Sequence, residues 1–247
     1  MVKLSDRLQL IADHIEKGET MADIGTDHGF LPLYLVENGI SPKAILCDIS
    51  GPSLNKARAL AEEMASAGVD VKARVDFREG NGLAVLDDGE VDAVVIAGMG
   101  GVLITEILGG EPDRTLGIGK YIVQPRNNAA FLRFWLASRG FATEKNLLVR
   151  EGNHICEVIV AIPPKRLENG DFALSEALAP EDDPRWDMPE ALYAEEPGLV
   201  GAFAALKLRQ AEKRRNGLRQ GRNTDVVQIR KAEAHIDYFR RYLNDEL

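Results

Sequence analysis

Five residues, Arg150-Glu151-Gly152-Asn153-His154, separate the apolar run 147–149 from the apolar run 155–162. Parallel strands need a crossover of a dozen or more residues, so these two are expected to pair as an antiparallel hairpin. Upstream the spacing is wider. Short apolar strands at 21–24, 44–47, 71–77, 92–97 and 121–123 alternate with amphipathic stretches at 31–37, 53–67, 103–108 and 129–139, the last followed by Gly140 as a helix stop. Such alternation builds a parallel sheet with helices on both faces, and the hairpin closes it with an antiparallel strand. The expected class is α/β, in a first domain spanning 1–163.

Pro163-Pro164 ends that pattern. The following segment to Glu196 carries Pro180, Pro184 and Pro189 among many carboxylates, and reads as an irregular connection with one short helix. Beyond it, 199–220 and 225–243 place Val200, Phe203 and Leu206, then Val226, Ile229, Ile236, Phe239 and Leu243, at helical spacing, with Thr224 as the expected N-cap of the second helix. Residues 164–247 are thus expected to form the acidic connection and an antiparallel helical hairpin.

The net charge of −9 argues against a protein that coats nucleic acid without selectivity. Charge is unevenly spread, however. Lys207, Arg209, Lys213, Arg214, Arg215, Arg219 and Arg222 face only Glu212, which makes a local basic footprint; a solvated helix face is the plainer reading of the same residues. No apolar run approaches the roughly 20 residues of a membrane helix, and the acidic N-terminus does not resemble a signal peptide, so a cytoplasmic location is expected. Cys47 and Cys156 lie apart in apolar runs and read as buried thiols, with no metal site.

Loops at the carboxyl ends of parallel strands carry the ligand in open α/β sheets. After the first strand stand Asp23, Gly25, Thr26, Asp27, His28 and Gly29. The spacing lacks the middle glycine of the dinucleotide fingerprint and has Asp27 there, which would repel a pyrophosphate and suit an ammonium group. Asp48, followed by Ile49, ends the second strand 23 residues after Gly25, the separation at which an acidic side chain accepts from ribose hydroxyls. The third strand leads to Gly82 and, before it, Asn81, whose polar side chain could reach an adenine edge. The fourth ends in Ala97-Gly98-Met99-Gly100-Gly101, which leaves little side chain over a ligand.

Together, Leu4-Ser5-Asp6-Arg7-Leu8, 21–28, Glu79-Gly80-Asn81-Gly82-Leu83, 96–101 and Gln124-Pro125 resemble the bacterial tRNA (adenine-N1)-methyltransferases that modify position 22. The family commonly has aspartate where this chain has Asn81, and the C-terminal part is similar in character rather than in motif. The resemblance implies a Rossmann-like class I methyltransferase domain with a C-terminal helical hairpin. It further implies S-adenosylmethionine as cofactor, bound by the loop residues just named and by Gly100, and tRNA as partner. Asp27, His28 and Asn127 are the catalytic candidates at the mouth, and Lys213, Arg214, Arg215 and Arg219 the RNA-binding candidates. Two other readings stay open: a small-molecule methyltransferase whose hairpin makes a homodimer, and a noncatalytic RNA-binding protein. Monomer and homodimer are both compatible with the chain.

Overall fold

The strand residues sort by parity. In the computed structural model, which describes residues 2–164, 178–220 and 225–244, Ala93 and Val95 point to one face of the sheet and Val94 and Ile96 to the other, all four fully buried. The elements run α1 (Asp6–Ala12), β1 (Met21–Ile24), α2 (Phe30–Glu37), β2 (Ala44–Asp48), α3 (Gly51–Ser66), β3 (Val75–Glu79), β4 (Ala93–Gly100), α4 (Gly101–Gly110), α5 (Pro112–Gly117), β5 (Lys120–Asn127), α6 (Ala129–Ser138), β6 (Ala142–Glu151), β7 (His154–Ile162), β8 (Leu192–Tyr193), α7 (Leu199–Gln220) and α8 (Val226–Leu243). On one face Ile11 of α1, Leu31, Leu33 and Leu35 of α2 and Ala61 and Met64 of α3 cover Met21, Ala44, Val95 and Ile122. On the other, Ile104 and Leu108 of α4 with Leu132, Trp135 and Leu136 of α6 cover Ile24, Ile45, Ile96 and Val123.

The sheet order is β3-β2-β1-β4-β5-β7-β6-β8. Strands β1 to β5 pair in parallel, while β7 runs antiparallel to both β5 and β6, as the short connection requires. The chain winds outward in both directions from the β1–β4 boundary, so the carboxyl ends of β1, β2 and β4 open a crevice there. This is a Rossmann-like methyltransferase sheet with C-terminal helices.

Some expectations are corrected. The strand expected at 71–77 starts at Val75, because residues Lys72–Arg74 form a 3-10 turn first. The connection expected to be irregular contributes the short strand β8, parallel to β6, in addition to a 3-10 turn at Pro184–Trp186. The second helix of the hairpin is capped by Asp225, whose carboxylate accepts from the amides of Val227 and Gln228; the expected cap, Thr224, lies outside the described residues. Cys47 is buried, but Cys156 is only half-buried.

The hairpin is packed down on the sheet edge. Met188, Leu192, Leu199, Phe203, Ile236 and Phe239 form a third apolar cluster with Leu148 of β6. An ionic chain, buried at Arg133 and half-buried beyond it, runs beneath it. Arg133 of α6, 2% exposed, donates to Asn146 Oδ1 at 2.7 Å and to the Trp186 carbonyl at 3.0 Å, and pairs with Glu157 at 2.8 Å. Lys207 of α7 lies 3.6 Å from Glu157 and 3.0 Å from Asp187, and Asp187 in turn meets His235 of α8 at 3.4 Å. Lys207 is therefore half-buried with its charge met by Glu157 and Asp187, and adds little to a basic surface.

Candidate active site

The first loop is shaped by its backbone. Both Gly25 N–H (2.7 Å) and Thr26 N–H (3.0 Å) donate to the Cys47 carbonyl, folding the β1 tip over β2. Gly25 has φ +82, a conformation that side chains rarely adopt, and an added Cβ would run into Met99 Cε. Gly101 is required for a different reason: a Cβ there would sit 2.5 Å from the Asn128 carbonyl oxygen, so only glycine lets β4 and the β5–α6 loop approach so closely. Asn128 at that junction is the one non-glycine residue with positive φ among the described residues.

Two adjoining cavities result. The larger, about 520 Å³, is lined by Asp23, Thr26, Asp27, His28, Gly29, Phe30, Ala97, Gly98 and Arg126; the smaller, about 90 Å³, by Cys47, Gly80, Asn81, Gly82, Leu103 and Ile107. Gly25, Asp48, Ile49 and Met99 line both. The structure thus brings together the sequence-derived candidates from the β1, β2, β3 and β4 loops. Leu103 and Ile107 were not among those candidates; the amphipathic stretch of α4 held the signal, since Leu103 stays 45% exposed on a helix whose Ile104 and Leu108 are buried.

The three acids differ in state. Asp23 is the interior one: burial pushes its carboxyl up to about 6, against the opposing pull of Thr26 and Arg7. Asp27 is exposed, and its charge is already matched, with Lys56 Nζ at 2.7 Å and His28 Nδ1 at 2.9 Å; the Lys56 bond above all holds its carboxyl below the usual range. Asp48 accepts from the Ser50 amide at 2.7 Å through Oδ1, and its Oδ2 has no hydrogen-bond partner among the described residues. Burial pushes the neighbouring Cys47 thiol up to about 12, so it is not a nucleophile.

On the other side of the mouth Gln124, 3% exposed, bridges the strands: its Oε1 accepts from the Gly98 amide and from Arg7 Nη1, each at 3.1 Å. Asn127 and Arg126 follow it into solvent at the β5 tip. Beyond them a cleft of about 950 Å³ runs between the β5–α6 loop and the hairpin, lined by Arg126, Asn127, Arg150, His154, Lys207, Arg209 and Arg214 and also by the carboxylates of Glu157, Glu181, Asp182, Asp183 and Asp187. Of the RNA-binding candidates, Arg214 reaches this cleft and donates to Gln228 at 2.9 Å, Arg219 is paired with Glu233, and Arg215 leans on Asn216. Lys213 is exposed. Among the described residues no cluster of side chains could hold a metal ion, and no helix is long and apolar enough to cross a membrane.

Comparison with known proteins follows the same lines. A tRNA (adenine(22)-N(1))-methyltransferase of Bacillus subtilis strain 168 is 39% identical over 161 residues, a match spanning 65% of this chain and 65% of that relative. The crystal structure of the B. subtilis M1A22 tRNA methyltransferase TrmK superposes with a TM-score of 0.75 at 27% identity, over 98% of this chain and 100% of the other. A Streptococcus pneumoniae protein, Sp1610, described as a candidate tRNA (m1A22) methyltransferase and solved with S-adenosyl-L-methionine, has a TM-score of 0.73 at 25% identity, over 95% and 100% of the two chains. The family model for the methyltransferase domain matches residues 4–159, which is most of the sheet and every loop of the two cavities, and the chain belongs to that family.

Proposed function

We propose that this chain transfers a methyl group from S-adenosylmethionine to N1 of adenine 22 in tRNA, in the cytoplasm. The observation that carries the reading is the likeness to TrmK over 98% of the chain, because it extends past the methyltransferase domain into the helical hairpin. The cofactor fits the residues present. Asp48, with a free oxygen at the β2 tip, suits ribose hydroxyls; the small apolar cavity with Ile49, Asn81 and Gly82 suits a purine; and the interior carboxyl of Asp23 suits an ammonium group. Thr26, Gly29, Ala97 and Gly98 supply backbone with little bulk around it, while Gly100 lines neither cavity.

When bound, S-adenosylmethionine supplies an electrophilic methyl on a sulfonium. Adenine N1 has an in-plane lone pair and is unprotonated at neutral pH, so the protein removes no proton before the attack. Its residues position the base and balance the positive charge that the ring gains. Asp27 is tied to Lys56 and His28, so it orders the loop and holds His28 by accepting from Nδ1–H. The exposed amide of Asn127, beside Gly100, accepts from Asn128 Nδ2 at 3.3 Å through Oδ1, and the second lone pair of that oxygen can accept from the exocyclic amine as that charge develops. N1 is occupied by pairing in a duplex, so the base must leave its stack at a cost of about a few kcal/mol.

Incubation with methyl-labelled cofactor and unmodified tRNA tests the reading. Label should appear in tRNA, and nuclease mapping should find one N1-methylated adenine, at position 22. Transfer to small molecules with none to tRNA would overturn it in favour of a small-molecule enzyme, and tRNA binding without transfer in favour of a noncatalytic RNA-binding protein.

A further inference from the structure

Phe30 is out of place by the ordinary logic of its helix. It opens α2 and stays 42% exposed, while Leu31, Leu33 and Leu35 are buried. Its ring lies parallel to that of His28, with centroids 5.2 Å apart and planes within 11°. His28 is itself held by Asp27, and Asp27 by Lys56, so the pair is fixed in orientation before any ligand arrives. Both rings line the 520 Å³ cavity. A second residue of that cavity, Arg126, is exposed and makes no hydrogen bond or ion pair among the described residues. The other cations nearby are engaged, Arg7 by Glu151 and Gln124 and Lys56 by Asp27. Arg126 also lines the 950 Å³ cleft, so it stands where the two spaces join.

From this juxtaposition we infer that Phe30 and Arg126 receive the acceptor nucleotide: Phe30, backed by His28, stacks on the base, and Arg126 binds a flanking phosphate as the strand passes from the cleft into the cavity. The inference rests on the tRNA reading given above. Asp23 and Asp48 line the cavity with no cation paired to either among the described residues, so an entering phosphodiester is helped by a cation at the threshold, and Arg126 is the unengaged one. A purine methylated at N1 is cationic, and the face of an aromatic ring attracts a cation. The stack therefore strengthens as the methyl is transferred, and its loss reduces kcat more than it raises KM.

The experiment uses the full chain and a tRNA transcript, with wild type as the control. If wild type does not methylate tRNA, the function is wrong; if it does, the variants decide the inference. Phe30→Ala is expected to lower kcat by roughly 5- to 150-fold, the usual range for one base–aromatic stack, with cofactor affinity kept and Phe30→Trp restoring most of the rate. In tRNA carrying 2-aminopurine at position 22, fluorescence in the Phe30→Ala complex should exceed that in the wild-type complex, because the quenching ring is gone. Arg126→Ala should raise the tRNA Kd and reduce the slope of log affinity against log salt by about 1, with cofactor affinity measured beside it as the control for folding. Wild-type kcat and fluorescence in Phe30→Ala, or wild-type tRNA affinity and salt slope in Arg126→Ala, would overturn the assignment.

Discussion

The imidazole of His235 lies between an acceptor on each side, the Lys231 carbonyl 2.9 Å from Nδ1 and the Asp187 carboxylate 3.4 Å from Nε2. Neither partner can donate, so the pair favours the imidazolium, with a proton on each ring nitrogen. Burial opposes that charge, but the bonds to Asp187 and Lys231 outweigh it and raise the His235 pKa above 6.5; Asp187, against its own burial, is held down at about 2 by His235 and Lys207.

A pH dependence of hairpin docking follows. The His235 contribution is complete below pH 6.5 and is lost as pH rises through its raised folded pKa; the Asp187 contribution is complete above about 3.8 and is lost as pH falls toward 2. Thermal melts should therefore show a decline in stability as pH rises above 6.5 that His235→Gln abolishes. A variant whose decline matches wild type would place the titrating group elsewhere.

Cofactor binding should release protons near pH 6. Asp23 is partly protonated there, and a cationic ammonium beside it favours the carboxylate, lowering its pKa. Calorimetry at pH 6 in buffers of different ionisation enthalpy should give a buffer-dependent heat, and Asp23→Asn should remove that dependence. Equal heats in all buffers for wild type would separate Asp23 from the ammonium.

Asp48→Ala should weaken the cofactor by about 1 to 3 kcal/mol through lost charge-assisted hydrogen bonds. The effect should be confined to the cofactor, with tRNA affinity in a filter-binding assay close to wild type. Wild-type cofactor affinity in calorimetry contradicts the ribose assignment.

The paired change Arg214→Ala and Arg215→Ala should raise the tRNA Kd and flatten its salt dependence, without changing cofactor affinity. Arg219→Ala should do less, since Glu233 already neutralises that guanidinium. An unchanged salt slope in the double variant would turn the basic face of α7 into a plain solvated surface.

The elements readable from sequence are those whose side chains answer to one simple pattern. β1, β2 and β4 are apolar on both faces because helices cover both, and the β6–β7 hairpin follows from a connection too short for any alternative. β8 was illegible for the converse reason: Leu192 and Tyr193 are two residues in a proline-rich acidic stretch, held as a strand by β6 rather than by their own preference. The ionic chain through Arg133, Glu157, Lys207 and Asp187 was hidden as well, because charged residues in amphipathic helices read as solvent-facing until the hairpin is docked. At the site, the glycines and acids of the β1, β2 and β4 loops were visible from spacing, whereas the engagement of Asp27 by Lys56, 29 residues later, depends on the packing of α3.

β8 also bears on how a shortened chain would behave. The strand pairs with Asn146 and Leu147 on the outer side of β6, and Leu192 beside it helps cover Leu148. A chain ending near 163 would bare that apolar ground and leave backbone amides and carbonyls of β6 facing water, a template for another copy to zip onto. The methyltransferase domain prepared alone would then self-associate through its raw border, and the oligomers seen would be a wound of the cut rather than a property of the whole chain.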